Sequence, residues 1–255
     1  MKLMTYNILD GGDDRIGIIS EIINQAAPDY LTINEANGFE AGNQQRLRYL
    51  SEQTGLPYYH LSLSGSQAYH VAVLSKYPFK VVEELKPLIR AGIATVVNAE
   101  SGEMSIVGAH LAPYTEELRI PEIELIVKHQ AKYNHRILMG DMNSLSPQDG
   151  YSEKIIDNFN ETQLNKFTSD SKLRFNVVQK LLDSGYVDCG VLLGAEKTPT
   201  APTASNEDDS HANMRLDYIF VSEALRENVK TYQVVKNDYA EQASDHYPVI
   251  VELEV

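Results

Sequence analysis

Short apolar runs that end in an acid, an amide or a histidine recur through this chain, and they restrict its fold more than any other feature. Ile137-Leu138-Met139 reads as a buried strand, and Gly140 lets the backbone turn so that Asp141 and Asn143 leave the strand end together. The same form appears at Leu3 to Asn7, at Tyr30 to Glu35 and at Met104 to His110. In Arg215 to Val221, Asp217 interrupts Leu216, Tyr218, Ile219 and Phe220, and Ser244-Asp245-His246 sits just before the last strand. A carboxylate inside an apolar strand must be paired or functional, because its desolvation is costly. If the polar tips gather at one edge of a sandwich, Asn7, Glu35, His110, Asp141, Asn143, Asp217, Asp245 and His246 converge.

Between these strands the pattern changes to helical spacing. Ile16, Ile18, Ile19, Ile22 and Ile23 give a first helix one buried side. Further helices are expected over 43–54, stopped by Gly55, over 116–131 and over 173–184. From 58 to 110 the reading is an antiparallel meander, with strands at Val71–Leu74, Phe79–Leu85, Gly92–Asn98 and Met104–Ala109. Residues 144–172 are polar and irregular. Residues 198–213 form a long loop with an acidic centre, Glu207-Asp208-Asp209, and long loops in compact domains tend to be functional. With no low-complexity linker and no clear repeat, residues 1–255 read as one domain.

The charge narrows the partners. The chain has 36 acidic and 22 basic residues and a formal charge of -14, whereas duplex DNA binding draws its affinity from Lys and Arg at phosphates. The densest basic cluster, Lys128, His129, Lys132, His135 and Arg136, lies on a helix and its exit, away from the strand ends where ligands bind. A phosphorylated small molecule or a short single strand therefore fits better than long duplex DNA. The chain has 43% hydrophobic residues, ample for a core, and no run near the ~18 apolar residues of a membrane span. Met1-Lys2 leads straight into a strand pattern without a signal-type apolar region, so a cytoplasmic location is expected. A single cysteine, Cys189, excludes an internal disulfide and a multi-cysteine metal cluster.

The candidate set is rich in oxygen donors and has two histidines. Hard oxygen ligands without thiolate favour Mg²⁺ or Mn²⁺ over zinc, with Glu35 as first ligand. An acid beside a histidine, as in Asp245-His246, can fix its tautomer and raise its basicity. In the 198–213 loop and just after it, His211 and Arg215 are candidates to meet one small phosphorylated ligand. Each residue taken alone also has a plain structural reading: Asn7 as a turn cap, Glu35 as a surface residue, His110 as a half-buried core histidine.

Taken in order, Asn7 in Thr-Tyr-Asn-Ile-Leu, Glu35 in Ile-Asn-Glu, His110 in Ala-His-Leu-Ala-Pro, Gly140-Asp141-Met142-Asn143, Arg215-Leu216-Asp217-Tyr218-Ile219-Phe220 and Ser244-Asp245-His246-Tyr247-Pro248-Val249 resemble the motifs of the endonuclease/exonuclease/phosphatase superfamily. The resemblance implies a DNase I-like four-layer α/β sandwich, two mixed or antiparallel sheets flanked by helices, and metal-dependent phosphoester hydrolysis. It implies Mg²⁺ at Glu35 with Asn7 and Asp245, and phosphoryl binding by His110 and Asn143. Asp217 would orient His110 or a phosphate oxygen, and Asp245 would orient His246. Either Asp141 or the His246-Asp245 pair would serve as base. The reaction expected is hydrolysis of a phosphodiester in a small or single-stranded substrate by in-line attack of water. The alternatives are a DNA endonuclease or exonuclease of the DNase I or exonuclease III type, and a non-catalytic binding module on the same fold.

Two departures stand out. Several DNA-repair members have an acid two residues after the first Asn, where this chain has Leu9; Asp10, one place further, is expected on the opposite side of a strand. The chain also has no Trp, which leaves any base stacking to some of its 15 Tyr.

Overall fold

The computed structural model describes residues 1–65, 68–205 and 211–255. In chain order it contains β1 (Lys2–Asn7), α1 (Ile16–Ala26), β2 (Tyr30–Asn34), α2 (Ala41–Thr54), β3 (Tyr58–Ser62), β4 (Val71–Ser75), β5 (Val81–Glu84), β6 (Ala91–Ala99) and β7 (Gly102–His110). There follow α3 (Glu116–Gln130), β8 (His135–Asp141), α4 (Glu161–Phe167), a small hairpin of β9 (Thr168–Ser169) and β10 (Lys172–Leu173), α5 (Asn176–Asp183), β11 (Tyr186–Asp188) and α6 (Cys189–Leu192). The chain ends with β12 (Asp217–Ser222), β13 (Val229–Val234), α7 (Asp238–Ala243) and β14 (Val249–Leu253). Among the described residues no helix is long and apolar enough to cross a membrane.

Two six-stranded sheets stack face to face, one in the order β13-β14-β1-β2-β4-β3 and the other in the order β11-β12-β8-β7-β6-β5. The parallel pairs β1/β2 and β7/β8 each close over a helix, α1 and α3, as a parallel crossover requires. Alternation along the strands sorts the side chains into layers. Leu3, Val73, Ile106, Ile137 and Ile219 fill the space between the sheets. Met4, Leu31 and Leu74 turn outward onto Ile19, Ile22 and Leu47 of α1 and α2. On the far side Val107, Leu138 and Phe220 pack under Ile123, Ile126 and Val178 of α3 and α5. Strands buried on both faces read as continuous apolar runs. The product is the four-layer α/β sandwich.

The predicted meander is split between the sheets. β4 pairs antiparallel with β2 and β3 in the first sheet, and the chain then crosses to the second, where β5, β6 and β7 form the antiparallel run. Residues 144–172 are more ordered than their polarity indicates. They carry α4 and the small hairpin, and Leu145, Phe167 and Leu173 share an apolar cluster with Ala201, Met214 and Leu216. The 198–213 loop is tied at its ends, where Ala201 bridges Met214 and Thr200 Oγ1 accepts the Leu216 and Asp217 N–H groups at 2.9 and 3.0 Å. Its acidic centre, Glu207-Asp208-Asp209, lies outside the described residues.

Gly140 holds φ at 143°, and a Cβ there would lie 1.8 Å from the Ala109 carbonyl oxygen of the neighbouring strand. The close approach of β7 and β8 that presents Asp141 therefore depends on this glycine. Gly140→Ala is expected to lower unfolding free energy by about 3 kcal/mol, from backbone strain and overpacking together. Urea denaturation checks this; an unchanged midpoint would mean that the strands separate without cost.

Candidate active site

Strand register assembles the site. His110 on β7 and Asp217 on β12 both sit opposite Asp141 on β8, so three sequence-distant polar residues form one row across adjacent strands. In the facing sheet Asn7 is opposite Asn34, and Glu35 follows. Asn34 joins the two sheets: its Nδ2 donates to the Ala109 carbonyl at 2.9 Å and its Oδ1 accepts the Asp141 N–H at 3.0 Å. Asn7 Nδ2 reaches both Glu35 Oε1 and Asp141 Oδ2 at 3.3 Å, while its Oδ1 accepts the Leu9 N–H. Asn143 returns its N–H to Asp141 Oδ1 at 2.8 Å and gives its Nδ2 to the Leu111 carbonyl. Leu9, Asp10, Glu35 and Asn143 all have φ between 48° and 60°, a concentration of left-handed backbone at the rim of one cavity. Such strain collects at functional sites.

The acid–histidine pairings differ from those expected. His246 Nδ1 meets Asp217 Oδ2 at 2.7 Å, so Asp217 orients His246 and not His110. Asp245 Oδ2 lies 3.2 Å from His211 Nε2, so its close imidazole contact is with His211, while its charge still acts on His246. His110 instead places Nε2 3.3 Å from Asp141 Oδ2, with His246 Nε2 4.0 Å from the same oxygen. The His211 ring stands edge-on to His246, centroids 4.7 Å apart. Ser244 ties the last motif to the first strand by donating its hydroxyl to the Asn7 carbonyl at 2.7 Å.

Burial alone would raise Asp141, but the hydrogen bond and charge of His110, then His246 and Lys166, outweigh it and hold the carboxyl well below the usual range. His246 moves the other way. Burial opposes its charge, yet Asp217, then Asp245 and Asp141, push it up to about 10. Burial raises Asp217, with the His246 charge opposing the rise. The Asp141 and His246 shifts run in opposite directions, and each favours the charged form of its group.

Asp141 borders a cavity of about 330 Å³ whose wall also includes Glu35, His110, Asn143, His211 and Asp245, with His246 and Asp217 buried behind it. Asp10 lines it too, contrary to the expectation of an opposite orientation: β1 ends at Asn7, the chain turns, and the Asp10 N–H bonds Glu35 Oε2 at 3.0 Å. Burial, then the charges of Glu35, Asp13 and Asp245, raise the Asp10 carboxyl. This concentration of like charge and oxygen donors fits a hard divalent cation, and the buried thiol of Cys189 is not part of the wall. Tyr69, Arg90, Tyr114 and Lys166 also line the cavity and carry no local sequence signal.

Arg215 is corrected as a ligand-binding candidate. Its side chain is 0% exposed and held by Asp149 and Asp188, with Nη2 2.6 Å from Asp149 Oδ1 and 2.7 Å from Asp188 Oδ2. A Cβ on Gly190 would come within 2.8 Å of its guanidinium. Two carboxylates and close packing make Arg215 a buried brace behind β12.

The endonuclease/exonuclease/phosphatase family model matches residues 4–246, and the chain belongs to that family of metal-dependent phosphoric ester hydrolases. Solved structures share the fold at low identity. An endonuclease/exonuclease/phosphatase family protein from Leptotrichia buccalis aligns with a TM-score of 0.71 at 20% identity over 100% of both chains. An AP endonuclease from Archaeoglobus fulgidus aligns with a TM-score of 0.75 at 19% identity, again over 100% of both. A variant of the 3′ phosphatase NExo from Neisseria, bound to a product DNA hairpin, gives 0.73 at 20% over 100% of both. No curated protein matches the sequence.

Two outcomes follow from these contacts. Arg215→Met leaves two buried carboxylates unpaired and is expected to cost about 3–5 kcal/mol in urea denaturation; a stable variant with weakened ligand binding would return Arg215 to the site. Asp217→Asn is expected to bring His246 down from about 10 toward the ordinary histidine value, read by NMR titration of the imidazole. Because the folded pKa is raised, this pairing contributes stability that is complete below the ordinary histidine pKa and is lost as pH rises through about 10. An unmoved His246 titration would contradict the pairing.

Proposed function

We propose that the cavity hydrolyses phosphodiester bonds in a small or single-stranded substrate, with Mg²⁺ as its metal and Mn²⁺ as a substitute. The observation that carries this reading is the Asp141 carboxylate, buried between His110 and the His246–Asp217 pair and facing the acidic rim of Glu35. The oxygen donors of Glu35 and Asp245 would hold the cation, which supplies Lewis-acid stabilisation of phosphoryl charge when bound. Asn7 acts on Glu35 and Asp141 through its amide nitrogen, keeping both carboxylates in place.

The protonation states divide the labour. His246, charged up to about 10, has no lone pair with which to accept a proton from water at neutral pH, so it serves as a fixed positive charge for the phosphoryl oxygens. Asp141 Oδ2 is the anionic oxygen available to orient the attacking water and receive its proton. Its carboxyl is fixed by the Asn143 N–H on the other oxygen, so little reorganisation is needed. His110, with Nε2 toward Asp141, and Asn143 at the cavity wall bind the phosphoryl group. His211 keeps Asp245 in position through the 3.2 Å contact.

The formal charge of -14 favours a small or short substrate over duplex DNA. The likeness to an AP endonuclease and to NExo bound to a DNA hairpin supports the nuclease alternative.

Bis-p-nitrophenyl phosphate and supercoiled plasmid, each assayed with Mg²⁺, Mn²⁺ or EDTA, separate these readings. Metal-dependent release of nitrophenol with intact plasmid is expected, and nicked plasmid would favour the nuclease. Asp141→Asn should abolish turnover, and His246→Ala should lower kcat by roughly 10²–10³ at saturating metal. Glu35→Ala should raise the Mg²⁺ required by about tenfold or more. Full activity in all three variants would refute the site.

A further inference from the structure

The buried face of α3 begins with charges. Its inward residues are Glu116, Arg119, Glu122, Ile123, Ile126 and Gln130, and the first three are only 3%, 1% and 4% exposed. An amphipathic helix gives such positions to apolar residues, and charged side chains are almost never buried this far without partners. Glu116 ties α3 to α5: its Oε1 accepts the Val177 N–H at 3.2 Å, and its Oε2 accepts Asn176 Nδ2 at 2.7 Å and meets Arg174 Nε at 2.6 Å. Arg119 and Glu122 turn instead to the segment that follows His110.

The Ala112 backbone is held by both of them. Its N–H donates to Glu122 Oε2 at 2.8 Å, and its carbonyl accepts Arg119 Nη1 at 3.1 Å. The other Glu122 oxygen, Oε1, accepts the Ile89 N–H at 2.7 Å, while Arg119 Nη2 donates to the Lys166 carbonyl at 2.7 Å. Strand register shows what this clamp controls. Ala91 at the start of β6 is paired with His110 at the end of β7, so Ile89 and Ala112 flank that pair and one carboxylate spans the open end of the hairpin. Leu111, between His110 and Ala112, gives its N–H to the Asp141 carbonyl and accepts Asn143 Nδ2 on its own carbonyl, both at 3.0 Å. The end of β8 therefore holds Leu111 while α3 holds Ala112.

We infer that Arg119 and Glu122 are positioning residues for the phosphoryl-binding side of the site, acting on His110 and Asn143 through the backbone of Leu111 and Ala112. This rests on the roles given to His110 and Asn143 above and deepens them. The residue types suit the task. Two N–H donors converge on residue 122, and a carboxylate offers an acceptor oxygen to each, whereas a glutamine would turn its NH₂ group toward one of them. The arginine fork likewise serves two carbonyls at once. Burial raises the Glu122 carboxyl, and the Ala112 and Ile89 N–H groups, then the charges of His110 and Arg119, oppose the rise. Glu35 belongs to the facing sheet and is held by Asn7 and the Asp10 N–H. Loss of the clamp should thus disturb phosphoryl binding and leave the metal requirement alone.

The test compares Glu122→Gln with Glu116→Gln, which loosens the tie to α5 instead. Turnover of bis-p-nitrophenyl phosphate is followed across a Mg²⁺ titration and expressed per folded molecule, counted from the native NMR spectrum. Glu122→Gln is expected to lower kcat about 10–100-fold with the Mg²⁺ half-saturation unchanged, and Glu116→Gln to keep the wild-type kcat. Equal losses in the two variants, wild-type turnover in Glu122→Gln, or a raised Mg²⁺ requirement there would overturn the assignment. Arg119→Lys keeps a charge but not the fork, and it carries the same measurements where Glu122→Gln does not fold.

A second arm needs no turnover. The Asn143 side-chain amide and His110 imidazole signals are compared by NMR in EDTA, and both should move in Glu122→Gln and Arg119→Lys while staying in place in Glu116→Gln. That result upholds the clamp even if the wild-type protein leaves the ester intact, in which case the phosphodiesterase reading fails alone. Unmoved signals in both clamp variants overturn the assignment while leaving that reading standing.

Discussion

The site depends on Asn34, a fully buried amide that bonds the second sheet from the first. Its nitrogen holds the Ala109 carbonyl and its oxygen holds the Asp141 N–H, so the ends of β2, β7 and β8 keep a fixed relation. The apolar contacts between the sheets are not directional, and besides Asn34 the Asn7–Asp141 and Tyr30–Thr95 hydrogen bonds also cross between them. A pair of buried hydrogen bonds supplies the missing direction, and leaving either partner unsatisfied would cost about 1–3 kcal/mol. Together with the Asn7 amide, which bonds Asp141 directly, this link places Glu35 on the cavity wall against Asp141.

The cavity wall carries both signs of charge. Glu35, Asp10, Asp141 and Asp245 give the wall its acids, Arg90 and Lys166 its strong bases, and His110 and His246 both approach Asp141. The acids explain why a metal fits this wall.

Much of this arrangement is legible in the residues. The run from Ile137 to Asn143 announces a buried strand with a polar tip, and β8 ends at Asp141. The polar ends of five other segments converge on it because parallel and antiparallel registers place His110, Asp141 and Asp217 in one row. The pairings are not legible in the same way. Asp245 and His246 are adjacent in sequence, yet their closest acid–histidine contacts are with other residues, Asp245 with His211 and His246 with Asp217. Asp10 is hidden as long as a strand is taken to continue beyond Asn7, whereas left-handed backbone at Leu9 and Asp10 turns the chain back over Glu35. Arg90, Lys166 and Asn34 have no distinguishing local pattern, since only tertiary packing brings them to the cavity or between the sheets. Arg215 looks like a surface cation before a strand, and only the distant Asp149 and Asp188 reveal it as a brace.

The most direct test of the account is the location of the metal. Crystals soaked in Mn²⁺ and measured for anomalous scattering should show a peak at the Glu35 carboxylate within the cavity, and the peak should vanish in Glu35→Ala. A peak elsewhere in the wild-type protein, or one that survives the loss of Glu35, would contradict the claim that the polar strand ends converge to form a metal-dependent phosphoesterase centre.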